Sequence, residues 1–401
     1  VDTGEGLRGD PLDARALRPT ARDPLGRVAP VSSVVPDDPP QRILVRCPNW
    51  LGDVVMSTPG LRALRKAHPG ARIVAQLPAP LVPLLAGHPG LDEVWPLDVP
   101  LRRLAVLRRE ARRVADGRFD LGIVLPESIS SALLMRAGRV GYVVGHARDP
   151  LRRGLLHQVV PAPPEWGRRR LVSRERFVLG LMAAVGAPSE DVRLELGVTA
   201  EDDRRLVQAL RRAGWDPAAD GDPAPIVLAP GASYGPAKCW PVDSYAALAD
   251  ALLRRGERVL LVGSAAECER VEAVASAMRV PGGLALAGVL DLGALKALLR
   301  RARLLVCNDA GARHVAVALG TPAVVFFGPT AVVKTAENLA LVEGLETEHG
   351  CRPCYRRRCP IDHRCLASID PGEALVAVDR LLRRRPDRRA DRPQVVSKGR
   401  S

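Results

Sequence analysis

Two runs of alternating short apolar segments and amphipathic segments, parted by DPAADGDPAP at 216–225, constrain this chain more than any other feature. Parallel strands cannot be joined by tight turns, so strand-length apolar runs that alternate with helical spacing build a parallel sheet covered by its crossover helices. In the first run RILVRC (42–47), RIVAQL (72–77), DEVWPL (92–97) and DLGIVL (120–125) read as strands. STPGLRALRKA (57–67), LRRLAVLRREARRVADG (101–117) and ESISSALLMRAG (127–138) read as helices, with Ser57 or Thr58 as a cap before Pro59. In the second run the strands are PIVLAPG (225–231), RVLLVGS (258–264), RLLVCNDAG (303–311) and PAVVFFGPT (322–330). Its helices are VDSYAALADALLRRG (242–256), DLGALKALLRRA (291–302), ARHVAVALG (312–320) and PGEALVAVDRLLRRR (371–385). The stretch 145–223 is less regular and carries helices at 171–186 and 201–215.

The expectation is an α/β chain of two doubly wound domains, 41–215 and 225–385, joined by a linker at 216–224. Residues 1–40 lack periodic apolar spacing and read as a disordered leader, and 386–401 as a basic disordered tail. The start has no basic segment followed by an apolar core, and no apolar run reaches membrane-spanning length, so the expected compartment is the cytoplasm. The net charge of +14 favours anionic partners such as nucleotides, phosphorylated sugars or an anionic membrane face, although an Arg-rich, Lys-poor composition raises it without any partner. Aromatic residues are 3% and are not interleaved with basic ones, which argues against a stacking platform for nucleic acid.

In open parallel sheets ligands bind beyond the carboxyl ends of the strands. Five polar, Gly-bearing loops fall at such ends: 48–56, 231–240, 263–267, 308–314 and 327–330. The first contains Trp50, Gly52 and Asp53, a carboxylate where a strand hands over to a helix. PGASYGPAKCWP (230–241) offers the hydroxyls of Ser233 and Tyr234 and the ammonium of Lys238, suited to a phosphate, but it is not a Walker A loop. In NDAGARHVAVALG (308–320), Asn308 or Asp309 can cap the helix, backbone N–H groups around Gly311 form an anion site, and His314 can donate to a phosphate. Glu267 suits either a ribose diol or a first-turn acid. Cys351, Cys354, Cys359 and Cys365 follow C-x2-C-x4-C-x5-C, a spacing open to zinc, an iron–sulfur cluster, unligated thiols or disulfides.

RCPNWLGDVVMSTPGLRAL, PGASYGPAKCWP, NDAGARHVAVALGTPAVVFFGPT and CRPCYRRRCPIDHRC, in that order over about residues 42–385, resemble glycosyltransferase family 9, the ADP-heptose:lipopolysaccharide heptosyltransferases, and within it the heptosyltransferase II group. The resemblance implies a GT-B fold, two Rossmann-like domains facing across a cleft, with the acceptor on the first and the nucleotide sugar on the second. It implies inverting transfer, with Asp53 as the general base and Lys238 neutralising the diphosphate. Ser233 and Tyr234 would line the phosphate loop. Glu267 would lie near the nucleoside, and Asp309, Gly311 and His314 would hold donor sugar and phosphates. Trp50 and Gly52 would belong to the acceptor loop. No cofactor is implied for catalysis, with Mg2+ a stimulant at most. The implied partners are ADP-heptose and a glycan or lipid-linked glycan acceptor, with a peripheral contact at the inner membrane face, no nucleic acid and a monomeric chain. Where the family usually has Ser or Thr this chain has Ala310, and Arg313 stands where Met is common.

Overall fold

The computed structural model describes residues 39–166, 172–215 and 224–384. The expected leader, linker and basic tail lie outside the described residues, apart from residues 39, 40 and 224. Two six-stranded sheets form, both wholly parallel. The first holds β1 (Arg42–Arg46), β2 (Arg72–Pro78), β3 (Glu93–Leu97), β4 (Leu121–Val124), β5 (Tyr142–Gly145) and β6 (Gln158–Val159) in the order β3-β2-β1-β4-β5-β6. The second holds β7 (Ile226–Ala229), β8 (Val259–Leu261), β9 (Leu284–Ala285), β10 (Leu304–Asn308), β11 (Ala323–Phe326) and β12 (Val342–Leu345) in the order β12-β11-β10-β7-β8-β9. The chain reverses direction across each sheet beside β1 and beside β7, which opens a crevice at their carboxyl ends. This is the GT-B arrangement.

The central strands are buried on both faces, as parallel strands under two helical layers must be; Ile43, Leu44 and Val45 are fully buried. Four strands carried no signal in the sequence. β6 and β9 have two residues each, β12 (VEGL) mixes a Glu and a Gly into a half-buried edge, and YVVG of β5 is shorter than a usual apolar run.

The helix Ala200–Arg212, which the sequence assigns to the first domain, packs against Leu292–Arg301 of the second. Asp203 accepts from Arg300 at 2.6 Å and from Arg301 at 2.8 Å, and Arg205 pairs with Asp291 at 2.9 Å. Between them Lys296, fully buried, pairs with Asp202 at 3.2 Å and donates to the Gly197 carbonyl at 2.8 Å. Its neighbours compensate an ammonium whose pKa burial drives down. Among the described residues no helix is long and apolar enough to cross a membrane.

Candidate active site

Most of the segment after β1, expected as a loop, is helical: Leu51–Met56 follows Trp50, whose backbone is extended and whose side chain makes no capping bond. Ser57 and Thr58 do not cap the next helix either. Their hydroxyls turn back to the carbonyls of Val54 (2.6 Å) and Val55 (2.7 Å), a local bond that competes with capping. The fully buried Arg46 shapes the turn by donating to the Cys47 carbonyl and to Asn49. Burial lowers the Arg46 pKa to about 10.

Asp53 stands in the first turn of this helix with its side chain 33% exposed. It forms no cap; its nearest cation is Arg174, whose Nε lies 3.9 Å from Oδ1. Burial raises the Asp53 pKa, while Arg174 and Lys334 oppose the rise. Arg174 comes from the helix Arg174–Ala183 and lies over the Phe177 ring at 4.6 Å.

The helix Gly311–Ala318 of the second domain crosses directly against Leu51–Met56. A Cβ added at Gly52 would stand 3.2 Å from His314 Cδ2, and one at Gly311 would stand 3.2 Å from the Gly52 nitrogen. The two glycines therefore let the helix starts of both domains meet at the mouth of the cleft. Neither Asn308 nor Asp309 caps Gly311–Ala318, because its N-cap is Ala310. Asn308 instead knits two strand ends: Oδ1 accepts from Trp240 N (2.9 Å), and Nδ2 donates to the carbonyls of Pro230 (2.9 Å) and Gly231 (3.1 Å).

Asp309, nearly fully buried, is the hub of the second domain's rim. Lys238 Nζ donates to its Oδ2 at 2.9 Å and to its carbonyl at 2.8 Å; Thr330 donates to Oδ2 at 3.0 Å, and Arg313 lies 3.6 Å from Oδ1. Burial pushes the carboxyl pKa up, but Lys238, Arg313 and the hydrogen bonding outweigh it, and the net shift is downward. Asp309 is thus an acceptor only. Burial, reinforced by Arg313, holds the His314 pKa well below its usual value, so His314 is a neutral ring packed on Gly52 rather than a cation for phosphate.

The remaining residues expected at the site are placed differently from one another. Ser233 is exposed on its loop. The Tyr234 hydroxyl donates to the Tyr355 carbonyl at 2.5 Å, and its ring faces Lys238 (5.3 Å) and Arg357 (5.7 Å), so it braces Lys238 rather than offering its hydroxyl to a phosphate. Glu267 completes a capping box with Ser264 through Oε2, at 2.8 Å from N and 2.7 Å from Oγ, and lies against Gly231.

Cys351, Cys354, Cys359 and Cys365 line one small cavity with His363, and all four are free thiols. Among the described residues no three His, Cys, Asp or Glu side chains converge as metal ligands, and the His363 ring contacts the Ala237 carbonyl at 2.7 Å. The segment's visible role is support. Ala237 N donates to the Arg357 carbonyl at 3.1 Å, and at Gly235, with φ +144°, a Cβ would stand 2.6 Å from that same oxygen.

The sequence reading missed the groups that join the domains. Glu337 accepts from Arg176 at 2.5 Å, and Asn338 donates to Glu175 at 3.3 Å and to the Val192 carbonyl at 2.9 Å. These contacts link positions 146 to 163 residues apart, which no local pattern reports. Burial raises the Glu175 pKa to about 7, and Glu337 adds to the rise. A raised carboxyl pKa contributes stability below its unfolded value that is lost as pH rises through the folded one. The wild type is therefore expected to lose melting temperature as pH rises through about 7 more steeply than Glu175→Gln, read by thermal melts across that range. Parallel curves for the two proteins would remove Glu175 as the titrating group.

The model of Glycosyltransferase family 9 (heptosyltransferase) matches residues 107–364. The chain is 33% identical to lipopolysaccharide heptosyltransferase 2 of Salmonella typhimurium over 303 residues, covering 72% of this chain and 83% of that protein. The solved structure of E. coli ADP-heptose lps heptosyltransferase II superposes with a TM-score of 0.71 at 27% identity, over 86% of this chain and 99% of that one. A family 9 glycosyl transferase from Veillonella parvula superposes with a TM-score of 0.74 at 23% identity, over 86% and 98%, and supports the fold. A glycine-lined crossing between the helix that carries Asp53 and the helix that follows the Lys238–Asp309 pair, on two parallel sheets, is thus found in a chain that belongs to glycosyltransferase family 9, the heptosyltransferases.

Proposed function

We propose that this chain transfers a heptose from ADP-heptose to a hydroxyl of a lipopolysaccharide inner-core acceptor, with inversion at the anomeric carbon. The observation that carries the reading is the crossing at Gly52 and Gly311, which brings the helix that holds Asp53 against Gly311–Ala318, the helix that follows Asp309 of the Lys238–Asp309 pair. Asp53 takes the proton of the acceptor hydroxyl as its oxygen attacks the anomeric carbon, and the bond to the ADP oxygen breaks on the opposite face. Lys238 and the first-turn N–H groups of Gly311–Ala318 receive the negative charge that develops on the departing diphosphate. Asp309, held ionised, accepts hydrogen bonds from donor-sugar hydroxyls. Mg2+ would add to that charge stabilisation. Nucleotide sugars are made in the cytoplasm, and the reaction is placed there.

A second reading changes the donor sugar or takes a glycan outside lipopolysaccharide as acceptor. Ala310 favours it, because the helix N-cap offers no hydroxyl to the donor. The test incubates the protein with ADP-heptose and truncated core acceptors and follows ADP release, beside thermal-shift screening of ADP-, GDP-, UDP- and dTDP-sugars. ADP release that depends on acceptor is expected. Stabilisation by UDP-sugars alone, without ADP release, overturns the donor assignment.

A further inference from the structure

The exposed apolar side chains of the first domain gather along one edge. Val99 and Leu104 follow β3, Ile129 and Leu133 follow β4, and Leu151 follows β5; Leu104 is 57% and Leu151 65% exposed. The three helices that carry the other four, Leu104–Asp116, Ile129–Ala137 and Pro150–Arg153, pack side by side. Buried Arg152 fastens the last two, donating to the Ser128 carbonyl at the start of Ile129–Ala137 and to the His146 carbonyl at 2.7 Å. Each helix begins at the carboxyl end of its strand, so these side chains share the rim on which Trp50 and Asp53 stand after β1.

The same face is basic. Arg102, Arg103, Arg108, Arg112 and Arg153 are exposed, and among the described residues their side chains have no ion pair or hydrogen bond. The nearby acids are already engaged: Asp98 with Arg109, Glu127 with Arg148 at 3.5 Å, and Asp149 as the cap of Pro150–Arg153, while Glu110 is buried.

We infer that this edge, where the apolar starts of three helices stand among unpaired arginines, is a docking face for an anionic phospholipid surface. Apolar side chains enter the headgroup boundary while arginines meet lipid phosphates, and each contribution alone is weak. The apolar groups stand at separate helix starts rather than along one groove, which suits a bilayer better than a peptide or a protein ridge. Docking there turns the mouth of the cleft toward the bilayer, so that a lipid-borne acceptor reaches the rim without leaving the membrane. The inference does not depend on the role of Asp53.

The test is flotation of the full chain with vesicles of phosphatidylcholine alone or mixed with phosphatidylglycerol. The wild type is expected to float with the anionic vesicles and not the neutral ones. Arg102→Glu with Arg103→Glu, and separately Leu104→Ser with Leu151→Ser, are each expected to weaken binding on the order of tenfold. Arg356→Glu with Arg358→Glu, equal in charge change but exposed on the Cys-rich segment, is expected to leave it unchanged. All of these side chains are exposed, and unchanged melting temperatures verify the folds. Three results overturn the docking face: no flotation of the wild type, equal loss in the Cys-segment variant (which would mean net charge alone), or full binding by the leucine variant (which would mean a polyanion site).

Discussion

Asp53→Asn is expected to lower kcat/KM by ~10^2–10^4-fold while leaving ADP binding intact, because a positioned base contributes that much. The amide keeps the shape of the side chain, so the crossing at Gly52 and Gly311 is undisturbed. The stability change separates this role from a structural one. Burial raises the Asp53 pKa above its unfolded value, and such a group loses its stabilising effect as pH rises through the folded pKa. Above its folded pKa the ionised carboxylate therefore costs stability, and Asp53→Asn is expected to melt there at the wild-type temperature or above it. A carboxylate that weakens the fold where the enzyme works is what a functional group looks like. The paired measurements are ADP release under saturating donor and a thermal melt. Near wild-type turnover removes Asp53 as the base. Lost turnover together with a lower melting temperature would mean that Asp53 serves the fold instead.

Lys238→Met is expected to have the next largest effect, on both activity and stability. Lys238 Nζ satisfies the Asp309 carboxylate and its carbonyl, and both side chains are largely withdrawn from water, at 14% and 6% exposure. Removing one partner of a buried pair costs about 3–5 kcal/mol, because the other charge is left without its counterion. Arg313 at 3.6 Å and Thr330 offset part of that loss. Loss of the charge proposed to meet the diphosphate is expected to lower turnover by about 10^2–10^3-fold, as for removal of one preorganised donor. The pH dependence has a definite sign. The Asp309 pKa is depressed, so its stabilising effect is present above the unfolded value and lost as pH falls through the folded one. Without Lys238 that acid-side loss moves to higher pH. Denaturant melts at neutral and acid pH, with ADP titrations, measure both effects. Lys238→Arg keeps the charge and is expected to recover most of the stability but less of the turnover, since a guanidinium fork does not replace a compact ammonium. Equal stability and turnover in Lys238→Met and wild type would exclude this hub from both roles.

The α/β architecture was legible because parallel strands buried on both faces require continuous apolar runs, and RILVRC and RLLVCNDAG have them. The strands that escaped notice are short or lie at sheet edges, where pairing with a neighbour substitutes for apolar content. The capping assignments erred for one shared reason. Ser57, Thr58, Asn308 and Asp309 all occupy positions where a cap is chemically reasonable. Each polar group found a different partner: Ser57 and Thr58 turned to the carbonyls of Val54 and Val55 one turn back, Asn308 to the strand end at Pro230 and Gly231, and Asp309 to Lys238. Tyr234 behaves alike, its hydroxyl drawn to the Tyr355 carbonyl of a segment far along the chain.

By itself the sequence determined the strand–helix alternation, the places where chemistry-bearing loops fall, and the identity of Asp53, Lys238, Asp309 and Gly311 as their notable residues. Those are local properties, written in spacing and residue type. Only the tertiary structure decided that Gly52 and Gly311 touch, that Arg174 stands beside Asp53, that Glu175 is buried near Glu337, and that the exposed leucines of three helices share one basic edge. Charge state, burial and contact depend on which distant groups exclude water from a side chain, and that follows from how the layers pack.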